Sequence, residues 1–228
     1  MIVKKFLIIL LIIFCHNTNA ESKHIKNLEA SYIFYYKNTQ AGTMTLKIQT
    51  ENSKIRISTL YDGNFLAELA NRGYREETAY VEIKENTIYP LKYIYKDTNE
   101  SYEAIFKNNT VEIISDKKIK KVINYNEIIY DPISLLLLLM RDYPNLDIKY
   151  NVLSKKNLKI YDYIFKKNIS IRIKELDYNG FSAEYRSGNK TNIIFFSKNH
   201  KNLMVSTRIM KKGKEKIRIE LSKIKILN

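Results

Sequence analysis

The sequence predicts a mostly β protein, in which one large curved antiparallel sheet, a half-barrel or open barrel, wraps around a single apolar helix. More than ten short segments rich in β-branched and aromatic residues alternate apolar with polar side chains, as half-buried strands do. Helical periodicity is scarce outside one leucine-rich run at about residues 131–142. No repeat or linker divides the chain, so residues 21–228 are expected to form a single β-rich domain.

The strands are predicted from a two-residue period. "GTMTLKIQT", residues 42–50, places Met44, Leu46 and Ile48 on one face and polar side chains on the other. In "IRIELSKIKIL", residues 217–227, this alternation slips at Ser222, which predicts a β-bulge in the last strand. Pro90 cannot donate a ladder hydrogen bond, so its strand is expected at an edge or to begin after the proline.

The leucine run "YDPISLLLLLMR", residues 130–141, has the start and stop signals of a helix. Asp131 can cap the free amide of Ser134, a proline follows in the first turn, and Arg141 suits the C-terminal dipole. Twelve residues at about 1.5 Å each give roughly 18 Å, too short for a hydrocarbon core of about 30 Å. Ser134 and Arg141 share the one polar stripe, so the helix must be covered by protein or ligand on more than one side.

Two interpretations of this helix stay open at this point. It can plug a curved sheet as ordinary core, or it can leave an apolar groove for an acyl chain between helix and sheet. A second, short helix is possible near residues 64–71, in "GNFLAELANRG". The candidate groove-lining residues share an inward strand position or a place on the leucine helix; they are Met44, Leu46, Leu135, Leu136, Leu139 and Met140.

The N-terminus predicts an exported protein. Residues 1–20 contain two lysines, an apolar run from Phe6 to Phe14 and a small residue, Ala20, which together are typical of a cleaved signal peptide. Cys15 follows Phe14, where bacterial lipoprotein signals carry a small residue, so lipid anchoring at Cys15 is disfavoured. We therefore expect a periplasmic protein of a Gram-negative-type envelope, monomeric and without a transmembrane segment after cleavage.

Charge and missing motifs argue against several function classes. The chain has 39 Lys+Arg and 24 Asp+Glu, a net charge of +15; without the two lysines of residues 1–20 the balance is 37 − 24 = +13. This excess suits an anionic partner, but the lysines are scattered and no nucleic-acid motif accompanies them, so no nucleic-acid partner is expected. No nucleophile elbow, phosphate loop or metal-ligand spacing occurs, so we expect no catalytic, cofactor-binding or metal-binding residues and no enzymatic activity.

The order of these features resembles the bacterial exported family known as domain of unknown function 3108. The resemblance is carried by residues 32–48, "YP-L-KYIY", "YDPISLLLLLMR", residues 161–173 and residues 193–221, and covers nearly all of the chain after residue 20. Phe196, Asn168 and Val205-Ser206 depart from the tryptophan, glycine and proline usual in that family. The positions that match its pattern, and for which a structural role is implied, are Gly42, Pro90, Asp131, Ser134 and Arg141.

The resemblance implies no activity, but its pattern is similar to the half-barrel of periplasmic lipoprotein and lipid carriers. We therefore predict a protein that binds a lipid, a lipoprotein acyl chain or another amphiphilic envelope component between sheet and helix. The alternative is a structural or interaction protein with a dry core, which docks an envelope protein through an edge strand or its basic surface.

Overall fold

The computed structural model describes residues 27–64, 73–143, 146 and 148–227. Within these ranges the chain is mostly β and forms one sheet of 15 strands. The first eight strands are β1 (Leu28–Tyr36), β2 (Thr39–Glu51), β3 (Lys54–Gly63), β4 (Arg75–Lys84), β5 (Thr87–Asp97), β6 (Ser101–Lys107), β7 (Thr110–Ser115) and β8 (Lys118–Asn124). The others are β9 (Ile129–Tyr130), β10 (Lys149–Ser154), β11 (Asn157–Ile173), β12 (Leu176–Ser187), β13 (Lys190–Ser197), β14 (Leu203–Lys211) and β15 (Lys214–Ile226).

The sheet consists of two meanders joined at its centre. Strands β1 to β8 follow one another outward on one side, β15 to β9 do so on the other, and β1 pairs with β15 between them. All neighbours are antiparallel except β9 and β10, which run parallel. The edges β8 and β9 do not pair, so the curved sheet is open and not closed into a barrel, which confirms the predicted fold class.

Two sequence irregularities have structural counterparts. Ser31 pairs with Lys223 and Tyr32 with Leu221, so Ser222 is the extra residue of a bulge, as predicted. Pro90 lies inside β5, contrary to the expectation that the strand is an edge or begins after it. The proline is tolerated because this part of β5 pairs only with β4; pairing with β6 starts at Lys92.

The one α-helix of the described residues, α1 (Pro132–Asp142), begins as its sequence predicts. The carboxylate of Asp131 accepts hydrogen bonds from the amides of Ile133 and Ser134, both at 2.9 Å. In return, the Ser134 hydroxyl accepts a bond from the Asp131 amide at 3.1 Å, which completes a capping box. At the other end, the guanidinium of Arg141 donates to the carboxylate of Asp142 and to the carbonyl oxygen of Asn86.

The helix packs against strands from both halves of the sheet. Its main contacts are with β3, β4 and β5 on one side and with β9 and β10 on the other. Just beyond α1, the ring of Tyr143 stacks on Phe181 of β12 at 3.7 Å between centroids, and Phe181 stacks on Phe196 of β13. The C-terminal end of α1 is thereby fastened to the sheet. No helix among the described residues is both long and apolar enough to cross a membrane.

Three sequence predictions concern residues outside the described ranges. The signal peptide of residues 1–20 and Cys15 lie there, and so does the possible helix near 64–71, apart from Asn64. The signal peptide, the absence of lipid anchoring at Cys15 and the short helix therefore remain predictions.

Gly42 marks a close approach of two strands. A Cβ atom at this position would lie 2.3 Å from the carbonyl oxygen of Asp62 and 2.7 Å from the Cα of Gly63, both in β3. The backbone φ of Gly42 is also +155°, which side chains rarely adopt. Gly213, in contrast, has a φ of +73° but no atom within 4 Å of a Cβ position.

We expect Gly42→Ala to lower the free energy of unfolding by on the order of 3 kcal/mol, because the backbone of β3 must move. Gly213→Ala, which adds the same methyl group in open space, should cost only about 1 kcal/mol of conformational strain. Urea unfolding of both variants measures the difference. Equal losses of stability would show that the close approach to β3 does not constrain position 42.

Candidate functional site

A cavity of about 390 Å³ lies between α1 and the concave face of the sheet. The central strands form its floor, since β1, β2, β14 and β15 contribute apolar side chains; these are Phe34, Met44, Met204, Ile209, Ile217 and Ile219. It exists because the main contacts of α1 are with β3 to β5 and with β9 and β10, and not with the central strands β1, β2, β14 and β15, which leaves space beneath the helix. Its exposed surface is more apolar than polar.

The leucine run divides its side chains between different environments. Leu135, Leu136 and Leu139 line the cavity and fall within about 100° around the helix axis. Leu137 is fully buried and lines neither of the two cavities beside α1. Leu138 faces a second cavity of about 680 Å³, near the start of β5 and strands β9 and β10. A helix apolar nearly all round is therefore covered partly by protein and partly by two cavities.

The six candidate groove residues do not all lie on the cavity. Met44, Leu135, Leu136 and Leu139 are among the residues that line it. Leu46 and Met140 are buried and are not among them. Contact of any of the six with a ligand stays a prediction.

One wall of the cavity is formed by β4 and β5, and its side chains become more polar toward one end of the cavity. Along β4, Ala79, Glu77 and Arg75 follow one another on the concave face. On the adjacent strand, Tyr93 and Tyr95 extend in the same direction. The hydroxyl of Tyr93 donates to Glu77 at 2.6 Å, so the carboxylate is held within the sheet wall.

The opposite wall is formed by β11 and β13, and its side chains also become more polar toward one end of the cavity. Along β11, Tyr161 is followed by Lys159; along β13, Ile194 is followed by Asn192 and then Lys190. The lysines stand at the strand ends, next to the turns that join β10 to β11 and β12 to β13.

The polar ends of the two walls meet at one mouth. Lys156, in the turn between β10 and β11, forms an ion pair with Glu100, next to β6, at 2.7 Å. Its ammonium group also lies 5.0 Å from the centre of the Tyr102 ring. Lys155 in the same turn lines the cavity. One end of the cavity is therefore polar and basic, and the interior beside the leucines is apolar.

At this end the half-buried Arg75 forms an ion pair with the buried Glu77. Arg75 Nε lies 3.3 Å from Glu77 Oε2 without the geometry of a hydrogen bond, and the guanidinium stacks 4.1 Å from the Tyr61 ring. Burial acts to lower the pKa of Arg75, but the charge of Glu77 and smaller contributions from Tyr61, Tyr93 and Tyr95 together outweigh it, so the pKa is raised. Burial, and then the same carboxylate, raise the pKa of Tyr93. The arginine is therefore a fixed cation and the tyrosine a neutral donor.

Five positions were predicted to have structural roles from the family resemblance, and each of them lies in a helix cap, in a bond to a turn or within a strand. Asp131 and Ser134 form the cap of α1, Arg141 bonds the turn before β5, and Gly42 and Pro90 lie within strands. Ser134 and Arg141 are both buried but serve opposite ends of the helix. The two residues of the polar stripe therefore form hydrogen bonds with different groups, Ser134 at the start of α1 and Arg141 at its end.

Sequence reasoning missed Arg75, Glu77 and the lysines of the mouth. Glu76 and Glu77 are neighbours in β4 and point to opposite faces of the sheet, so they do not form a carboxylate pair. The same two-residue alternation puts Arg75 and Glu77 together on the inward face of β4. This alternation was the sequence signal that could have predicted their position.

In the part of the chain that the structure describes, no three His, Cys, Asp or Glu side chains are placed to hold a metal ion. No protein-family model matches the chain, and no curated protein matches its sequence. The resemblance to domain of unknown function 3108 is therefore a prediction from sequence features alone.

Asp131 makes the stability of the fold depend on pH. Burial raises the pKa of this carboxyl from 3.8 to about 6, although hydrogen bonds from Ser134 and Ile133 act to lower it; the charge of Glu77 adds to the increase. Because the folded state binds the proton more tightly, the stabilisation from this group is fully present below pH 3.8 and is lost as the pH rises through about 6.

We expect the free energy of unfolding of the wild type, relative to Asp131→Asn, to fall by on the order of 3 kcal/mol over this pH range. Asparagine keeps the oxygen acceptor for the amides of the first helical turn but does not titrate. Urea unfolding at a series of pH values measures the difference. A pH-independent difference between the wild type and Asp131→Asn would contradict the assignment.

Proposed function

We propose that this chain is an exported, non-enzymatic protein that binds or carries an amphiphilic component of the cell envelope. The apolar chain of that component would lie in the cavity under α1, against Leu135, Leu136 and Leu139. The observation that carries the proposal is the cavity itself, which is apolar beside the helix and polar at one end.

The size of the cavity suits one acyl chain. A methylene group needs about as much space as a liquid water molecule, roughly 30 Å³, so a cavity of 390 Å³ holds on the order of a dozen carbon atoms. This volume also falls within the range of roughly 300–1,000 Å³ that is typical of small-molecule sites. A dry core, which an interaction protein would need, leaves no such space next to seven large apolar helix residues.

Export is supported by the sequence of residues 1–20, and the periplasm by the resemblance to an exported bacterial family. An envelope protein meets lipids and lipoproteins, which supply single acyl chains attached to polar groups. The chain of such a molecule loses contact with water on entering the cavity, and this contributes roughly 0.8 kcal/mol for each buried methylene group.

A second candidate function, docking of an envelope protein, is favoured by strand β8. This strand is a free edge of the sheet, and Ile119 and Val122 expose more than half of their surface there. An unpaired edge can accept a strand from another chain. Three lysines in the same strand, Lys118, Lys120 and Lys121, are of the kind that protects edges from pairing, so we prefer the cavity.

Filling the cavity from the helix tests the proposal. We expect Leu136→Trp to fold and to bind dodecyl maltoside, an uncharged single-chain amphiphile, at least about tenfold more weakly, which corresponds to roughly 1.4 kcal/mol. The indole ring would take the volume that the alkyl chain needs. Titration calorimetry below the micelle concentration measures the affinity, and urea unfolding verifies the fold.

Leu138→Trp is the matched control, because Leu138 lies on the same helix but faces the second cavity. It should bind dodecyl maltoside as the wild type does. Loss of binding in this variant alone would place the ligand in the second cavity. In parallel, native mass spectrometry of protein purified from its own cells without delipidation should reveal an adduct of lipid mass; repeated unliganded protein would argue for the docking function.

A further inference from the structure

We infer that the amphiphile bound by this cavity has a negatively charged headgroup, an oxyanion such as a phosphate or carboxylate, held by Lys155, Lys159 and Lys190 at the mouth. This inference rests on the proposed function and specifies its ligand class. It follows from where the charges of the cavity lie and from which of them are already paired.

The charged residues that line the cavity are strongly unbalanced. They are four cations, Arg75, Lys155, Lys159 and Lys190, and one carboxylate, Glu77. Glu77 is within 3.3 Å of Arg75 and offsets its charge. The net positive charge of the cavity therefore comes from the three lysines.

These lysines are available to a ligand. All three are exposed, and none of their ammonium groups forms a hydrogen bond or ion pair with another described residue. The charge of Lys155 acts on one carboxylate, that of Asp97. Burial acts to raise the pKa of Asp97, but hydrogen bonds from the Tyr95 hydroxyl and two amides, together with the charge of Lys155, lower it.

The position of the lysines matches the position of a headgroup. They stand at the polar end of the wall strands, beyond the side chains that enclose an alkyl chain. The neighbouring polar side chain Asn192 can also donate hydrogen bonds to an oxyanion from its amide group. A cationic headgroup at this place would meet three like charges, and an uncharged one would leave them without a partner.

Three dodecyl amphiphiles that differ only in the headgroup test the inference. We expect the purified protein to bind dodecyl phosphate about tenfold or more tightly than dodecyl maltoside, and dodecyl trimethylammonium most weakly, because each nearby lysine favours an anionic headgroup by roughly fivefold. The triple variant Lys155→Gln, Lys159→Gln, Lys190→Gln should lose at least about tenfold in affinity for dodecyl phosphate and little for dodecyl maltoside.

The control variant is Lys118→Gln, Lys174→Gln, Lys214→Gln, which removes the same charge from exposed sites that do not line the cavity. Lys174 and Lys155 both have positive φ, at 55° and 48°, so the two variants also match in turn geometry. The control should bind dodecyl phosphate as the wild type does. Equal loss in both variants would reduce the effect to net charge and overturn the inference.

The remaining outcomes separate this inference from the function on which it rests. Equal affinity for all three amphiphiles would refute the oxyanion preference and leave the proposed function intact. Failure of all three to bind would refute both. Inorganic phosphate is the last probe: if it binds as tightly as dodecyl phosphate, the lysines form an anion site that is independent of any alkyl chain, which also overturns the inference.

Discussion

One geometric constraint governs the interior of this protein: a single helix of eleven residues cannot fill the concave face of a 15-stranded sheet. A helix with its side chains is about 10–12 Å across. Here it packs mainly on β3–β5 and on β9–β10, and not on the central strands. The space beneath it, above the central strands, is the direct consequence.

Polar contacts fix the helix in this position. The capping box at Asp131 satisfies amides of the first turn, and Arg141 ties the last turn to the carbonyl oxygen of Asn86. Both residues are buried, so loss of either partner would leave polar groups without water. Packing alone would let an almost uniformly apolar helix rotate about its axis; these bonds determine which leucines face the cavity.

The fold followed from the sequence because its signals are local. Alternation identified the strands, Asp131-Pro132 identified the helix start, and the slip at Ser222 identified a bulge. The residues that line the cavity followed only in part, because they depend on contacts between distant segments. The hydroxyl of Tyr32 bonds the carbonyl oxygen of Met204 at 2.8 Å, across 172 positions of the chain. For the same reason, Leu46 and Met140 were grouped with the cavity residues although they pack elsewhere.

The contacts around the cavity also differ in how much their disruption would cost. The turn that carries Lys155 is joined to the far end of the sheet by the Lys156–Glu100 ion pair, in which both side chains are about a third exposed, and by bonds of Lys121 to that turn. Exposed pairs of this kind typically stabilise a fold by at most about 1 kcal/mol. Displacement of α1 would instead break its buried cap and expose its leucines. The mouth is thus the least costly part of the cavity to widen, and the polar end of an amphiphile is best accommodated there.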